Sequence, residues 1–176
     1  MEFAHIAPAI WRSVLVQSRT TLEDLHGVIQ VIFNWNDAHL YRFAYARRAF
    51  MRPTPDFATE DATHTTLGDL SLAVGNTLSY AYDFGDRWEL QVRVDAIEPT
   101  EPDVQYPQCL AGARAGPPED CGGPPIYDEL LASLANPSHP ENAHRRAWVG
   151  PHFHPETIDL RATNRILALL FGDSAL

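Results

Sequence analysis

Four carboxylates are the first residues in this chain whose types and spacing could do chemistry. Asp83 and Asp86 flank Phe84-Gly85, and Glu119 and Asp120 are adjacent. Clustered oxygen ligands of this kind hold Mg²⁺, Mn²⁺ or Ca²⁺, and a bound cation activates water for hydrolysis, of a phosphodiester for example. The same residues have a plainer use. Asp83 and Asp86 can accept hydrogen bonds from turn amides, Glu119-Asp120 can cap a turn or helix, and Arg87 can neutralise the group. Carboxylates in turns serve the backbone more often than they serve a metal.

Eight histidines form the second set: His5, His26, His39, His64, His139, His144, His152 and His154. His152-Phe153-His154 can put two imidazoles on one side of an extended segment, with His139 and His144 shortly before them. Together with Cys109 or Cys121 they could form a zinc site, although no CxxC or HExxH spacing supports one. His26 falls on the apolar side of a helical pattern. It reads as a hydrogen-bonded core residue that meets His39 or the chain between the two.

The third set is the run Arg42, Arg47, Arg48 and Arg52, beside Tyr45 and Phe50. Guanidinium and aromatic groups together grip phosphates or stacked bases, and they also dock acidic patches of a protein partner. A solvated strand end has the same composition. Nucleophilic catalysis finds little support: no serine has GxSxG context, and neither cysteine lies in a protease motif. All thirteen basic residues are arginine. A phosphate-binding GxxxxGK[ST] loop, a Schiff-base lysine and a kinase lysine are therefore all excluded.

The elements that must position these residues follow from hydrophobic period. Ile10–Val16 reads as a strand. Thr20 and Glu23 stand at capping-box spacing, and Leu22, Leu25, Ile29, Ile32 and Phe33 then recur as an amphipathic helix over 21–33. His39–Tyr45 alternates as a second strand, and 47–65 reads as a long connection. The clearest signal is a hairpin, with Leu78, Tyr80, Tyr82 and Phe84 on one side of Gly85-Asp86 and Trp88, Leu90, Val92 and Val94 on the other. A three-residue turn, Gly85-Asp86-Arg87, would pair Phe84 with Trp88, Tyr82 with Leu90 and Tyr80 with Val92. Asp83 and Glu89 would then share the polar face.

Residues 99–125 are rich in Pro and Gly and show no usable periodicity. Helices are expected over Ile126–Leu134, Glu141–Val149 and Thr157–Phe171. The last should turn Leu160, Leu167, Leu170 and Phe171 inward and have Gly172 as its C-cap. This order predicts an α+β fold: a mixed or antiparallel sheet centred on a long hairpin, with helices packed on one face.

The chain has 176 residues, enough for one domain over 1–176 and short for two. Its net charge of −10 is uneven. Residues 1–52 hold six Arg against four acids, whereas 53–130 hold three against fifteen. That acidic middle opposes broad contact with nucleic acid. No apolar run approaches the ~20 residues that span a bilayer, and the start carries no secretory pattern, so the cytoplasm is the expected compartment. Cys109 and Cys121 should then remain thiols.

Five segments resemble the plasmid pRiA4b ORF-3-like family, in the same order. They are PAIWRSVLV, TLEDLHGVIQVIFNWNDAHLYRF, YAYDFGDRWEL, GPPEDCGGPPIYDELL and HPETIDLRATN. The resemblance implies a compact α+β fold and occurrence on plasmids and in insertion sequences as an accessory gene, with no established activity. Where the family often has a second cysteine before PPED this chain has Gly116, and where it often has Asp in the last motif this chain has His154. A metal site built on paired loop cysteines is weakened accordingly. Taken together, these residues favour a non-enzymatic accessory or interaction module with a protein partner and no resident cofactor. The alternative is a metal-dependent hydrolase using Asp83, Asp86, Glu119 and Asp120 with Mg²⁺ or Mn²⁺, or else a zinc site at His139, His144, His152 and His154.

Overall fold

The structure, a computed structural model, describes residues 1–172. In chain order its elements are β1 (Glu2–Phe3), β2 (Trp11–Leu15), α1 (Leu22–Phe33), β3 (Tyr41–Tyr45), β4 (Arg48–Met51), β5 (Glu60–Asp61), β6 (Thr77–Tyr82), β7 (Trp88–Arg93), β8 (Gln108–Ala113), α2 (Gly123–Ala135), α3 (Asn142–Val149) and α4 (Leu160–Phe171). The strands form one sheet in the order β5-β4-β3-β6-β7-β1-β2-β8. Every pairing is antiparallel except β4 with β5. The β6–β7 hairpin lies at its centre, and the fold is α+β, as the sequence pattern predicts.

Alternation along the central strands gives the sheet one closed and one open face. Leu78, Tyr80, Tyr82, Trp88, Leu90 and Val92 are buried, while Thr77, Ser79, Glu89, Gln91 and Arg93 are exposed. Helix α1 supplies the matching apolar surface through Leu22, Leu25, Val28, Ile29, Ile32 and Phe33. Thr21 caps it, its hydroxyl accepting from the Asp24 N–H at 3.0 Å. Phe3 joins the layers, its ring 4.8 Å from Phe33 and 5.7 Å from Trp88, both edge to face. Each such buried ring contributes about 1.5–3 kcal/mol through area alone.

The hairpin keeps the predicted faces over 78–82 and 88–92 but shifts the predicted register by two residues. Tyr82 pairs with Trp88, Tyr80 with Leu90 and Leu78 with Val92. The turn therefore spans five residues, 83–87, and Phe84 leaves the ladder to sit half exposed. Asp83 and Arg87 take φ of 52° and 58°, left-handed conformations that end both strands early. Asp83 consequently turns inward and is buried, whereas Glu89 stays exposed opposite Ala81. The two do not share a face.

Four short strands escape the sequence reading. β4 and β5 lie inside the connection assigned to 47–65, β8 lies inside 99–125, and β1 precedes the first expected strand. Helix α4 packs against β8 and α1 mainly through Leu167, and Leu170, expected inward, is exposed. Gly172 occupies the C-cap with φ of −61° rather than a left-handed turn. Cys109 and Cys121 are both free thiols and both buried. Among the described residues no helix is long and apolar enough to cross a membrane.

Candidate metal centre

Three connections meet at the end of the sheet where the hairpin turns: 34–40 between α1 and β3, the turn 83–87, and 114–122 leading into α2. Arg12 sets the start of the third. Its buried guanidinium donates to the carbonyls of Ile32 (3.0 Å), Ala113 (2.9 Å) and Arg114 (2.7 Å), tying the end of α1 to the exit of β8. Burial pulls its pKa down to about 10. Gly116 then passes so close to the end of α1 that a Cβ would collide with the Phe33 carbonyl oxygen. Gly123, with φ of 80°, passes equally close to the Asp86 carbonyl. Both approaches require glycine.

Side chains join the connections across these gaps. The Trp35 indole N–H donates to the Pro117 carbonyl at 2.9 Å, and the Asn36 N–H donates to Glu119 Oε2 at 3.0 Å. Tyr82, at the end of β6, donates its hydroxyl to Glu119 Oε1 at 3.0 Å. The Gly122 N–H donates to Asp86 Oδ2 at 2.8 Å.

The result is a ring of acids around one imidazole. His39 Nε2 lies 2.9 Å from Asp120 Oδ1, 3.5 Å from Asp83 Oδ2 and 3.7 Å from Glu119 Oε1. One ligand atom each from His39, Asp83 and Asp120 falls within 4.8 Å of the others. Asp83 and Glu119 side chains are mostly buried, at 11% and 15% exposure, His39 is at 29%, and Asp120 is open at 70%. The cluster thus has a sheltered floor and an accessible side. Among the described residues no arginine pairs with Asp83, Glu119 or Asp120, so the expected neutralisation by Arg87 is not found. His39 Nε2 either donates its proton to Asp120 or gives that position to a metal ion.

Of the four carboxylates singled out in the sequence, Asp83, Glu119 and Asp120 converge and Asp86 does not. Asp86 is committed to the Gly122 amide. Asp83 serves both readings at once: Oδ1 accepts from the Gly85 and Asp86 amides at 3.0 and 3.2 Å, and Oδ2 faces His39. His139, His144, His152 and His154 form no group of three ligands among the described residues. The arginines disperse. Arg48 pairs with Glu60, Arg52 with Glu23 and Asp37, and Arg42 lies 5.9 Å over the Phe84 ring, while Arg47 occupies the β3–β4 turn with φ of 65°. His39 is the residue that sequence reasoning missed as a ligand. Its position two before Tyr41, which pairs with Tyr82, would have placed it at the hairpin end.

The other helix-side histidine has a different environment. His26 is stacked on Tyr41 at 3.8 Å between ring centres, with Nδ1 2.8 Å from the Tyr80 hydroxyl and Nε2 2.8 Å from Asp37 Oδ1. The Asp37 N–H donates to Gln30 Oε1, so the Gln30 amide nitrogen must be the atom facing Tyr80, to which it donates at 3.1 Å. Tyr80 then gives its own proton to His26 Nδ1, which leaves Nε2–H for Asp37. His26 is neutral in this chain of bonds, and burial lowers its pKa.

A mixed, mostly antiparallel sheet packed under helices places the chain in the α+β class. Residues 1–162 match the family model described as plasmid pRiA4b ORF-3-like protein, and the chain belongs to that family. It is similar to the uncharacterized protein y4hQ of Sinorhizobium fredii (strain NBRC 101917 / NGR234), with 32% identity over 149 residues, 83% of this chain and 76% of that one. It is also similar to the crystal structure of a protein of unknown function, MM3350 from Methanosarcina mazei Go1. That likeness has a TM-score of 0.85 and 33% identity, covering 92% of this chain and 93% of the other.

Proposed function

We propose that this chain binds one divalent first-row metal ion through His39, Asp83 and Asp120, with Glu119 alongside, and that the ion activates water for hydrolysis. One observation carries the reading: three carboxylates face a single imidazole with no arginine among them. A proton on His39 supplies one positive charge against three negative ones, whereas a divalent ion balances most of the group. An imidazole nitrogen among oxygen ligands suits Mn²⁺, Fe²⁺ or Zn²⁺ better than Mg²⁺ or Ca²⁺. Three protein ligands leave positions for water and substrate, and the exposed Asp120 side admits both.

Metal analysis of the purified protein, with melting followed in EDTA and in added Mn²⁺, tests the binding. Ion at 100 times its Kd should stabilise the fold by about 2.7 kcal/mol, and Asp120→Asn should remove the shift. No bound metal and no change in melting would overturn the reading. Hydrolysis is tested separately with the Mn²⁺-loaded protein on bis-p-nitrophenyl phosphate, where turnover lost in Asp120→Asn supports it.

A second reading, an accessory interaction module on mobile elements, is favoured by an apolar patch beside the cluster. Leu40, Phe57 and Phe84 are exposed at 50%, 42% and 37%, and the two phenyl rings meet edge to face at 5.9 Å. A protein partner held by the wild type and released by Phe84→Asp would support that reading.

A further inference from the structure

The connection that carries His39 is suspended by its backbone. Three successive amides are each received by a side chain from a different element: Asn36 by Glu119 at 3.0 Å, Asp37 by Gln30 at 2.8 Å and Ala38 by the Tyr82 hydroxyl at 3.1 Å. Tyr82 reaches both sides of the cluster. Its oxygen accepts from the Ala38 N–H, one residue before His39, so its single proton has to go to Glu119 Oε1. The ring is locked as well, stacked 4.6 Å from Trp35.

We infer that Tyr82 is the positioning residue of this cluster, setting through one hydroxyl both the loop that presents His39 and the carboxylate of Glu119 beside it. The inference rests on the metal reading above. Gln30 supports the other end of the same loop: its carbonyl holds Asp37, and its amide nitrogen reaches Tyr80 and through it His26. Neither Tyr82 nor Gln30 needs to touch the ion. Partners that orient ligands in this way typically change metal affinity by on the order of 10- to 100-fold when removed.

Tyr82→Phe is the decisive variant, because it deletes the hydroxyl and keeps the ring packed on Trp35. The expected result is a metal-free melting curve close to wild type, a Mn²⁺ Kd raised on the order of 10- to 100-fold, and a changed visible spectrum of bound Co²⁺. The spectrum reports ligand geometry, which a residue that only fills space would leave alone. Wild-type Kd and wild-type Co²⁺ spectrum in Tyr82→Phe would overturn the inference while the metal reading stands. Absence of metal binding by the wild type itself would remove the metal reading and this inference with it. Should the variant fail to fold, exchange of the Ala38 amide in the wild type decides: slowing by Zn²⁺ supports the inference, and an unchanged rate overturns it.

Discussion

Two histidines on the helix side of the sheet stand next to carboxylates, and their surroundings are opposites. His26 is buried on the sheet-facing side of α1, and both ring nitrogens have a partner whose proton bookkeeping closes. His39 sits at the open end of the sheet among three acids, with one usable proton for all of them. A buried polar chain in which every donor finds one acceptor rigidifies a core and has nothing left to bind. A group of like charges without a counter-ion is stable only where something else supplies the charge. The difference separates a structural histidine from a ligand-binding one, although the two look alike as residues in a list of eight.

Truncating each ring in turn puts the largest strain on that contrast. His26→Ala leaves a cavity against Tyr41 and strips the Tyr80 hydroxyl of its acceptor, so the fold should lose about 3 kcal/mol in denaturant unfolding. Mn²⁺ should still bind whatever protein remains folded. His39→Ala should do the reverse, changing metal-free stability by less than about 0.5 kcal/mol and abolishing the Mn²⁺ shift. Equal stability losses in the two variants would erase the distinction.

Acid should separate the two regions by a smaller amount. Burial lowers the folded pKa of His26 below its ordinary value of 6.5. The unfolded chain therefore takes up a proton near that pH while the folded chain resists, and the unfolded state binds more protons. Stability from this group is present above about pH 6.5 and falls as pH drops below it, by at most about 1.4 kcal/mol per unit. Urea unfolding at about pH 7 and about pH 5 reads the slope, and His26→Leu should flatten it. An unchanged slope in His26→Leu would assign the acid sensitivity elsewhere.

The centre of the fold is legible in the sequence because period-2 alternation over β6 and β7 leaves one arrangement of faces that buries the aromatics. Its register is less so. Phe84 continues the apolar alternation and reads as strand, but Asp83 before it adopts a left-handed backbone that pairing rules cannot anticipate. Strands β1 and β5 have two residues each, and β8 is QCLAGA, where small residues give no alternating contrast. Helical spacing points Leu170 inward, yet α4 packs on β8 and α1 with Leu167 buried and Leu170 exposed. The carboxylates of the site were visible as residue types. Their meeting with His39 depends on Gly116 and Gly123 letting two backbones nearly touch, and that is a fact of packing rather than of spacing.

The smallest effect belongs to Asp86, the one acid of the four that the fold turns away from the cluster. Its Oδ2 accepts from the Gly122 amide, which anchors the loop carrying Glu119 and Asp120 to the hairpin turn. An asparagine keeps an oxygen able to accept that bond, so Asp86→Asn should alter stability by less than about 0.5 kcal/mol. Mn²⁺ affinity should stay within about threefold of wild type, while Asp120→Asn, a change of the same atoms at a neighbouring acid, loses binding. Titration of both variants against Mn²⁺ compares an anchoring carboxylate with a ligating one at equal loss of charge. If both lost affinity alike, the summed negative charge at the hairpin end, and not the set His39, Asp83 and Asp120, would be what attracts the ion.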